Sequence, residues 1–212
     1  MDFETARARL VESLGAEIKD RRVLAAMGRV PRECFVPADK RSLAYEDTPL
    51  PIGFNQTISQ PYIVALMTQA LELTGGEKVL EVGTGSGYQA AVLAELVRMV
   101  ITTERLPALA ETAAKTLTGL NYKNVRVHLA GETLGWPHEA PYDAIIVTAA
   151  APQVPVDLLH QLTIGGRLVI PTGSRFVQEL CQITRQRQKN EIRNLGGCRF
   201  VSLIGKDAWE EE

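Results

Sequence analysis

A glycine-rich turn in the middle of the chain is the segment best suited to bind a ligand. It reads VLEVGTGSGYQAA over residues 79–91, and Gly83, Gly85 and Gly87 alternate with other residues in it. Glycine lets the backbone turn sharply and lets a ligand approach it closely. Free N–H groups at the start of a following helix favour an anionic group such as a carboxylate. The segment follows a predicted strand and opens a predicted helix, which is the context that such a motif requires.

The residues beside this turn distinguish between two nucleotide-like ligands. A dinucleotide-binding loop, G-x-G-x-x-G, needs a small residue at position 88 for close packing beside the pyrophosphate, but that residue is Tyr88. Glu81 precedes the turn, where a carboxylate could meet an ammonium group directly or through water. An acid before the glycines suits the zwitterionic amino-acid end of S-adenosylmethionine. A dehydrogenase that binds NAD or FAD is the less favoured alternative.

A second acid, Glu104, ends the next predicted strand. An acid about 20 residues after the first glycine of such a turn can accept hydrogen bonds from ribose hydroxyls. Taken alone, Glu104 is better explained as a solvated charge at a strand end. Together with the glycine turn, it predicts a ribose contact.

The polar segment FNQTISQPYI, residues 54–63, places Thr57 and Ser59 just before an apolar run. The simplest interpretation is a helix start, since Ser, Thr and Asn side chains cap helix N-termini and Pro61 suits the first turn. A catalytic role for these hydroxyls is the alternative, and this stretch alone favours the cap.

The apolar pattern of the chain predicts the elements that hold these residues. After Gly76, short apolar strands alternate with helices, which indicates a mostly parallel central sheet with helices on both faces. The predicted strands span residues 78–82, 99–103, 125–129, 142–148 and 167–171. The predicted helices between them span residues 88–98, 107–120 and 156–162.

Both ends of the chain depart from this alternation. Helical spacing predicts two helices within residues 3–30, then an irregular segment over 31–61 and a helix over 61–73. Residues 178–187 and 192–203 alternate like antiparallel strands. We interpret the chain as a single domain made of an N-terminal helical extension with the polar loop, a donor-binding α/β core and C-terminal strands, at residues 1–75, 76–175 and 176–212.

The composition limits the class of protein. The 212 residues are 45% hydrophobic and 23% charged, which is ordinary for a soluble globular protein, and the formal net charge of −2 gives no case for a nucleic-acid or membrane partner. Cys34, Cys181 and Cys198 form no C-x-x-C pair, so neither a disulfide framework nor a metal site is expected. A signal-peptide core and a membrane span are not evident, so a cytoplasmic location is expected.

Several segments together resemble the protein-L-isoaspartate (D-aspartate) O-methyltransferases over nearly the whole chain. They are PRECFVP (31–37), AYEDTPLPIGFNQTISQP (44–61), VLEVGTGSGYQAAVLAEL (79–96), TTER (102–105), GWPHEAPYDAIIVTAA (135–150), LLHQLTIGGRLVIPTG (158–173) and CRFVSLIGK (198–206). The glycine turn belongs to class I methyltransferases generally, whereas QTISQP, IIVTAA and GGRLVIPTG are far more specific to this family.

The resemblance implies a Rossmann-like class I methyltransferase fold with an altered order of the last strands. It implies S-adenosylmethionine as the methyl donor, S-adenosylhomocysteine as its product, and isoaspartyl-containing proteins and peptides as acceptors. Methylation of the free α-carboxylate of L-isoaspartyl residues, and of D-aspartyl residues, would begin repair through a succinimide; a monomer is expected. Two alternatives stay open, namely a class I methyltransferase of a small carboxylate and a catalytically impaired homologue that still binds the donor.

By position, the resemblance also implies roles for individual residues. Ser59 matches the active-site serine, and Thr57 and Ile58 beside it are expected to contact the substrate, with a minor part at most for Thr57. The residues expected to bind the donor are Glu81, Gly83, Thr84, Gly85, Ser86 and Glu104.

A strand-end run and one departure from the family pattern complete the candidate site. Thr148, Ala149 and Ala150 follow a predicted strand where ligands bind open α/β sheets; they are expected to contact the substrate, and packing against the next loop is the alternative. The family usually has Gly-Asp-Gly before its Gly-Trp pair, and its Asp contacts the adenine amino group. This chain has Gly131 at that position, followed by Glu132. Either Glu132 binds the donor in its place, or adenine relies on backbone and apolar contacts and Glu132 is a solvated loop acid.

Overall fold

A computed structural model describes residues 2–210, in which an N-terminal unit leads into a larger sheet. The unit contains helices α1 (Phe3–Leu14) and α2 (Arg21–Arg29), a hairpin of β1 (Leu50–Gly53) and β2 (Gln56–Ile58), and helix α3 (Pro61–Ala70). The two predicted helices of the first 30 residues are confirmed. The helix that begins at Pro61 is also confirmed, although it ends before the predicted residue 73.

The hairpin lies where the sequence predicts an irregular segment. Its two central residues, Phe54 and Asn55, have φ angles of +53° and +56°, as a type I′ turn requires. The pair Phe-Asn is not one of the Asn-Gly or Asp-Gly pairs that signal such a turn, so the local sequence does not predict it. Two 3₁₀ turns, Arg32–Phe35 and Ala38–Leu43, precede the hairpin.

The larger sheet has seven strands and carries the candidate site. Its strands in chain order are β3 (Lys78–Val82), β4 (Met99–Glu104), β5 (Val125–Leu129), β6 (Tyr142–Val147), β7 (Leu162–Gly173), β8 (Gln178–Thr184) and β9 (Glu191–Cys198), and the connecting helices are α4 (Tyr88–Ala94), α5 (Pro107–Gly119) and α6 (Val156–Gln161). The order across the sheet is β5-β4-β3-β6-β7-β8-β9. The pairs up to β6–β7 are parallel, and β8 and β9 are antiparallel, which confirms the predicted architecture.

A hydrophobic core covers each face of this sheet. Successive residues of β3 point to opposite faces, so Val79 packs with the N-terminal helices while Leu80 packs with the helix α6 side. After β5, the chain returns to the other side of β3 to form β6. Ligands of open α/β sheets bind at such a reversal of strand order, outside the carboxyl ends of the strands, which here are the ends of β3 and β6.

Several other predicted elements end a few residues earlier than their patterns indicate, among them strand β8, which stops at Thr184. Helix α4 stops at Ala94, and strand β9 stops at Cys198 because the Gln178 side chain replaces the next ladder bonds. Its Oε1 accepts from Phe200 N at 2.7 Å, and its Nε2 donates to Phe200 O at 3.2 Å. The following residues turn towards β6 instead of extending the hairpin.

The division into three parts of one domain stays a prediction, and its limits include Met1, Glu211 and Glu212, which lie outside the described residues. Over residues 2–210, every helix is too short or too polar to cross a bilayer.

The start of α3 is capped by a residue from a distant segment. Pro61 is the first helical residue, as predicted, but neither Thr57 nor Ser59 caps the helix. Instead, Asp47 Oδ1 accepts from Tyr62 N at 2.8 Å, and Asp47 Oδ2 accepts from Gln60 Nε2 at 2.9 Å. The cap interpretation of the two hydroxyls is therefore wrong, and Ser59 is available for another role.

Replacing Asp47 by Ala should lower the free energy of unfolding by about 1–2 kcal/mol, because the first turn of α3 loses its acceptor and the negative charge at its N-terminus. Urea denaturation measures this loss. The matched control is Asp39→Ala, which removes an exposed acid paired with the neighbouring Lys40 and should change stability by less than about 0.5 kcal/mol. Equal effects of the two substitutions would contradict the remote cap.

Candidate active site

A pocket of about 1120 Å³ lies at the carboxyl edge of the parallel strands. Its lining comes from the hairpin, the glycine turn, the end of β4, the loop after β5, the end of β6 and the segment 201–205. This volume includes space that is open to solvent. Of the predicted site residues, Ala150 is absent from the lining. The others line the pocket, namely Thr57, Ile58, Ser59, Glu81, Gly83, Thr84, Gly85, Ser86, Glu104, Glu132, Thr148 and Ala149.

The glycine turn has backbone angles that favour glycine. Gly83, Gly85 and Gly87 have φ angles of +100°, +53° and +88°, in the region that residues with a Cβ atom seldom adopt. A Cβ on Gly83 would lie 2.4 Å from Thr148 Oγ1. The Thr148 hydroxyl donates to Gly83 O at 2.6 Å. The residue that follows β6 therefore fixes the backbone of the glycine turn that follows β3.

Glu104 is fixed by backbone donors on both of its oxygens. Gly85 N donates to Oε2 at 2.8 Å, and Leu106 N donates to Oε1 at 3.0 Å. Each carboxylate oxygen can accept a second hydrogen bond. Glu104 therefore positions the glycine turn and retains the capacity to accept from ligand hydroxyls, since it lines the pocket.

Glu81 is a fully buried acid with no hydrogen-bond partner among the described residues. Both of its oxygens lack a donor. Burial raises the pKa of Glu81 to about 8; the nearby Thr102 hydroxyl opposes this shift, and the Glu104 carboxylate adds to it. A buried carboxylate without a partner is costly, so a cationic group in the pocket would meet an acceptor that the protein leaves unsatisfied.

Tyr88 connects the glycine turn to the N-terminal unit. It is the first residue of α4 and is almost fully buried. Its ring packs edge-on against Phe35, with ring centroids 5.6 Å apart, and the Arg32 guanidinium lies 4.8 Å from its centroid. The bulky residue that argued against a dinucleotide therefore packs against the 3₁₀ turn of the N-terminal unit.

Ser59 lies between β2 and α3 and lines the same pocket as the glycine turn. Its hydroxyl makes no hydrogen bond with the rest of residues 2–210, whereas its carbonyl oxygen accepts from Arg32 Nη2 at 3.0 Å. Thr57 is exposed on β2, and Ile58 is buried. Thr57 on the hairpin and Ser59 just after it thus both line the pocket with hydroxyls that make no hydrogen bond within residues 2–210.

The run after β6 divides between the pocket and the core. Thr148 and Ala149 line the pocket, but Ala150 is fully buried and absent from its lining. Ala150 N donates to Val201 O at 2.8 Å, and Leu203 N donates to Ala150 O at 2.8 Å. Ala150 therefore packs against the C-terminal segment instead of lining the pocket, and its backbone hydrogen bonds hold that segment at the pocket.

The loop after β5 places Gly131 and Glu132 in the pocket lining. Gln161 of α6 holds this loop, because its Oε1 accepts from Trp136 N and its Nε2 donates to Leu134 O, both at 2.8 Å. The Glu132 residue is exposed at its edge, and a donor-binding role for it stays a prediction.

Four contributions to this site were missed in the sequence. They are the Asp47 cap, the buried Arg32, the loop anchor Gln161 and the lining segment 201–205. For the segment 201–205 and for Arg32, the signal was their place in the segments CRFVSLIGK and PRECFVP, which carry part of the family resemblance. For Asp47 and Gln161, the local sequence carries no signal, because their partners are remote in the chain.

Comparison with known proteins places the chain in one family. The sequence matches the family Protein-L-isoaspartate(D-aspartate) O-methyltransferase (PCMT) over residues 5–208. It is 57% identical to Protein-L-isoaspartate O-methyltransferase 1 of Syntrophobacter fumaroxidans over 99% of both chains. It is 55% identical to the Protein-L-isoaspartate O-methyltransferase of Geobacter metallireducens over 100% of both chains.

Solved structures agree with this assignment. A protein-L-isoaspartate O-methyltransferase structure matches 95% of this chain and 67% of its own, with a TM-score of 0.86 and 28% identity. A Plasmodium falciparum protein described as the same enzyme, in complex with S-adenosyl-L-homocysteine, matches 94% of this chain and 99% of its own, with a TM-score of 0.81 and 26% identity. From the match across residues 5–208 and these relatives, the chain belongs to the protein-L-isoaspartate(D-aspartate) O-methyltransferase family.

Proposed function

We propose that this protein transfers a methyl group from S-adenosylmethionine to the free α-carboxylate of L-isoaspartyl residues in proteins and peptides. The observation that carries the proposal is one pocket lined by both an unpartnered serine hydroxyl, Ser59, and a glycine turn preceded by an unpartnered buried acid, Glu81. The family assignment supports the same reaction.

The donor side of the pocket has features that fit S-adenosylmethionine. When bound, this molecule supplies a methyl group on a positively charged sulfur. Glu81 would accept from its ammonium group, and Ser86 N, which donates to no acceptor within residues 2–210, would donate to its carboxylate. Thr84 shapes this turn, because its own N–H donates to Thr103 O at 3.1 Å. Glu104 would accept from the ribose hydroxyls, and Glu132 would accept from the adenine amino group in place of the Asp that the family usually has.

The acceptor needs to be positioned and does not need a general base. A carboxyl group with a reference pKa of about 3.5 is already ionised at neutral pH. The protein must align an oxygen with the methyl carbon at roughly 3 Å and exclude water that would solvate the two opposite charges. Ser59 would donate to one carboxylate oxygen while the other attacks, so it acts as a positioning donor and not as a nucleophile.

The product of this step leads to repair. The methyl ester carries methoxide, which leaves far more readily than the oxygen of a carboxylate. The following backbone nitrogen can therefore attack the ester carbonyl carbon, lose its proton and form a succinimide with release of methanol. Hydrolysis of the succinimide then gives a normal aspartyl linkage in a fraction of the molecules. We include D-aspartyl acceptors, a monomeric state and a cytoplasmic location in the proposal, on the basis of the family resemblance and the sequence.

The wild-type protein should methylate an isoaspartyl peptide and leave the same peptide with a normal aspartyl residue almost unmodified. The reason is that only the isoaspartyl linkage exposes an α-carboxylate. Transfer of a radiolabelled methyl group measures this. Equal labelling of both peptides would indicate a different methyltransferase, and binding of S-adenosylhomocysteine without any labelling would indicate an impaired homologue.

Ser59→Ala should reduce kcat/KM for the isoaspartyl peptide by about ten- to a hundredfold, because one hydrogen bond to a charged group contributes roughly 1.5–3 kcal/mol. Its affinity for S-adenosylhomocysteine, measured by calorimetry, should not change. Ser42→Ala, at an exposed serine of the same N-terminal unit, is the matched control and should retain wild-type turnover. Full activity of the Ser59 variant would refute the assigned role.

Glu81→Gln should stabilise the protein and weaken donor binding. Between the ordinary glutamate pKa of 4.5 and the raised pKa of about 8, the folded protein retains a proton that the unfolded chain has lost, so the free energy of unfolding of the wild type falls as pH rises. The advantage of the variant should grow from near zero at pH 5 to about 3 kcal/mol at pH 8.

Urea denaturation at several pH values measures this trend, and calorimetry with S-adenosylmethionine should show at least roughly tenfold weaker binding. The exposed Glu12 provides the control variant, Glu12→Gln, in which neither quantity should change. A Glu81→Gln advantage that does not vary with pH would contradict a carboxylate buried without a partner.

A further inference from the structure

Arg32 is a buried charge beside the proposed acceptor site. Its side chain is fully buried at the start of a 3₁₀ turn. Nε donates to Ala44 O at 2.8 Å, Nη2 donates to Ser59 O at 3.0 Å, and Nη1 has no partner within residues 2–210. The guanidinium therefore joins the segment before the hairpin to the segment that carries Ser59.

No acid pairs with this guanidinium in the described part of the chain. Its polar contacts are the two carbonyl oxygens and the face of Tyr88. Burial lowers the pKa of Arg32, although the Tyr88 hydroxyl and, less strongly, the Asp47 carboxylate oppose this shift, and arginine stays charged in proteins. Burying a charge without a counter-ion is costly, and neutral donors would satisfy the same two carbonyls at lower cost.

A second source of positive potential lies at the same place. Ser59 is the residue before the N-cap of α3, a helix of 10 residues whose N-terminal end carries partial positive charge. Asp47 offsets part of this charge through Tyr62 N, but it lies on the hairpin side and not in the pocket lining. An anion held by the Ser59 hydroxyl would thus meet both the helix end and Arg32.

We propose that Arg32 is a positioning residue for the acceptor: it fixes the Ser59 segment through the Ser59 carbonyl, and its buried charge makes the site prefer a carboxylate to a neutral amide. The inference rests on the proposed function. It also explains why arginine stands at this position, since the positive charge is useful only if the ligand beside Ser59 is negative. The acceptor would then add a negative charge inside the pocket, whereas Asp47 lies outside the pocket lining.

The test compares two dead-end ligands on protein saturated with S-adenosylhomocysteine. One is an isoaspartyl peptide with its free α-carboxylate, and the other is the same peptide with an α-carboxamide. Calorimetry gives the ratio of their dissociation constants for the wild type and for Arg32→Gln. The wild type should prefer the carboxylate, and Arg32→Gln should reduce this preference on the order of tenfold, with S-adenosylhomocysteine affinity unchanged.

The matched control is Arg7→Gln. Arg7 belongs to the same N-terminal unit but is paired with Tyr45 and Glu33 away from the pocket. Its loss should lower stability and leave the carboxylate preference intact. A wild-type preference in Arg32→Gln, or an equal loss of preference in Arg7→Gln, would overturn the inference.

Arg32→Lys separates charge from geometry and replaces Arg32→Gln if that variant does not fold. Lysine keeps the charge but lacks the planar fork that spans two carbonyls, so the preference should persist while kcat falls. Loss of the preference in folded Arg32→Lys overturns the electrostatic role. If the wild type neither binds nor methylates the isoaspartyl peptide, both the proposed function and the role of Arg32 are refuted. If the wild type is active but Arg32→Gln leaves the carboxylate preference unchanged, only the role of Arg32 is refuted.

Discussion

The packing around the Tyr88 ring is the contact on which the geometry of the site depends. Tyr88 starts the helix that follows the glycine turn, and its ring contacts Phe35 and the Arg32 guanidinium of the N-terminal unit. A two-stranded hairpin is at best marginally stable by itself. The position of the hairpin relative to the glycine turn therefore depends on the packing of the N-terminal unit. The contact of Tyr88 with Phe35 and Arg32 connects the segment that carries Ser59 to the glycine turn.

Two buried ionisable groups, one in the pocket lining and one behind it, have no ion-pair partner in the described chain. Glu81 lies on the donor side, and Arg32 lies behind the acceptor side. Each is unfavourable for the stability of the free protein, and each complements one part of the proposed reactants, a cationic donor and an anionic acceptor. Natural proteins break packing rules mainly at functional sites, and both exceptions here occur at one site.

Local signals in the sequence predicted the part of this arrangement that local physics determines. The strands 78–82 and 125–129 were predicted with their observed bounds, because short apolar runs between turn residues identify strands. The glycine turn and Glu104 were identified from spacing alone, and the structure places them together. Three features could not be predicted from the local sequence because they depend on residues remote in the chain. They are the Asp47 cap, the burial of Arg32 and the end of β9 at Cys198, where the Gln178 side chain bonds the backbone of Phe200. The hairpin was not predicted because its turn residues, Phe54 and Asn55, adopt a conformation in which glycine is the usual residue.

The most direct test of the central claim is a crystal structure of the protein with S-adenosylhomocysteine and an isoaspartyl peptide. The account predicts the amino-acid end of the nucleoside at Glu81 and the glycine turn. It also predicts the Ser59 hydroxyl about 2.6–3.2 Å from one oxygen of the peptide α-carboxylate, with the other oxygen directed at the sulfur. A complex in which Ser59 faces solvent, or in which the carboxylate lies away from the sulfur, would contradict it.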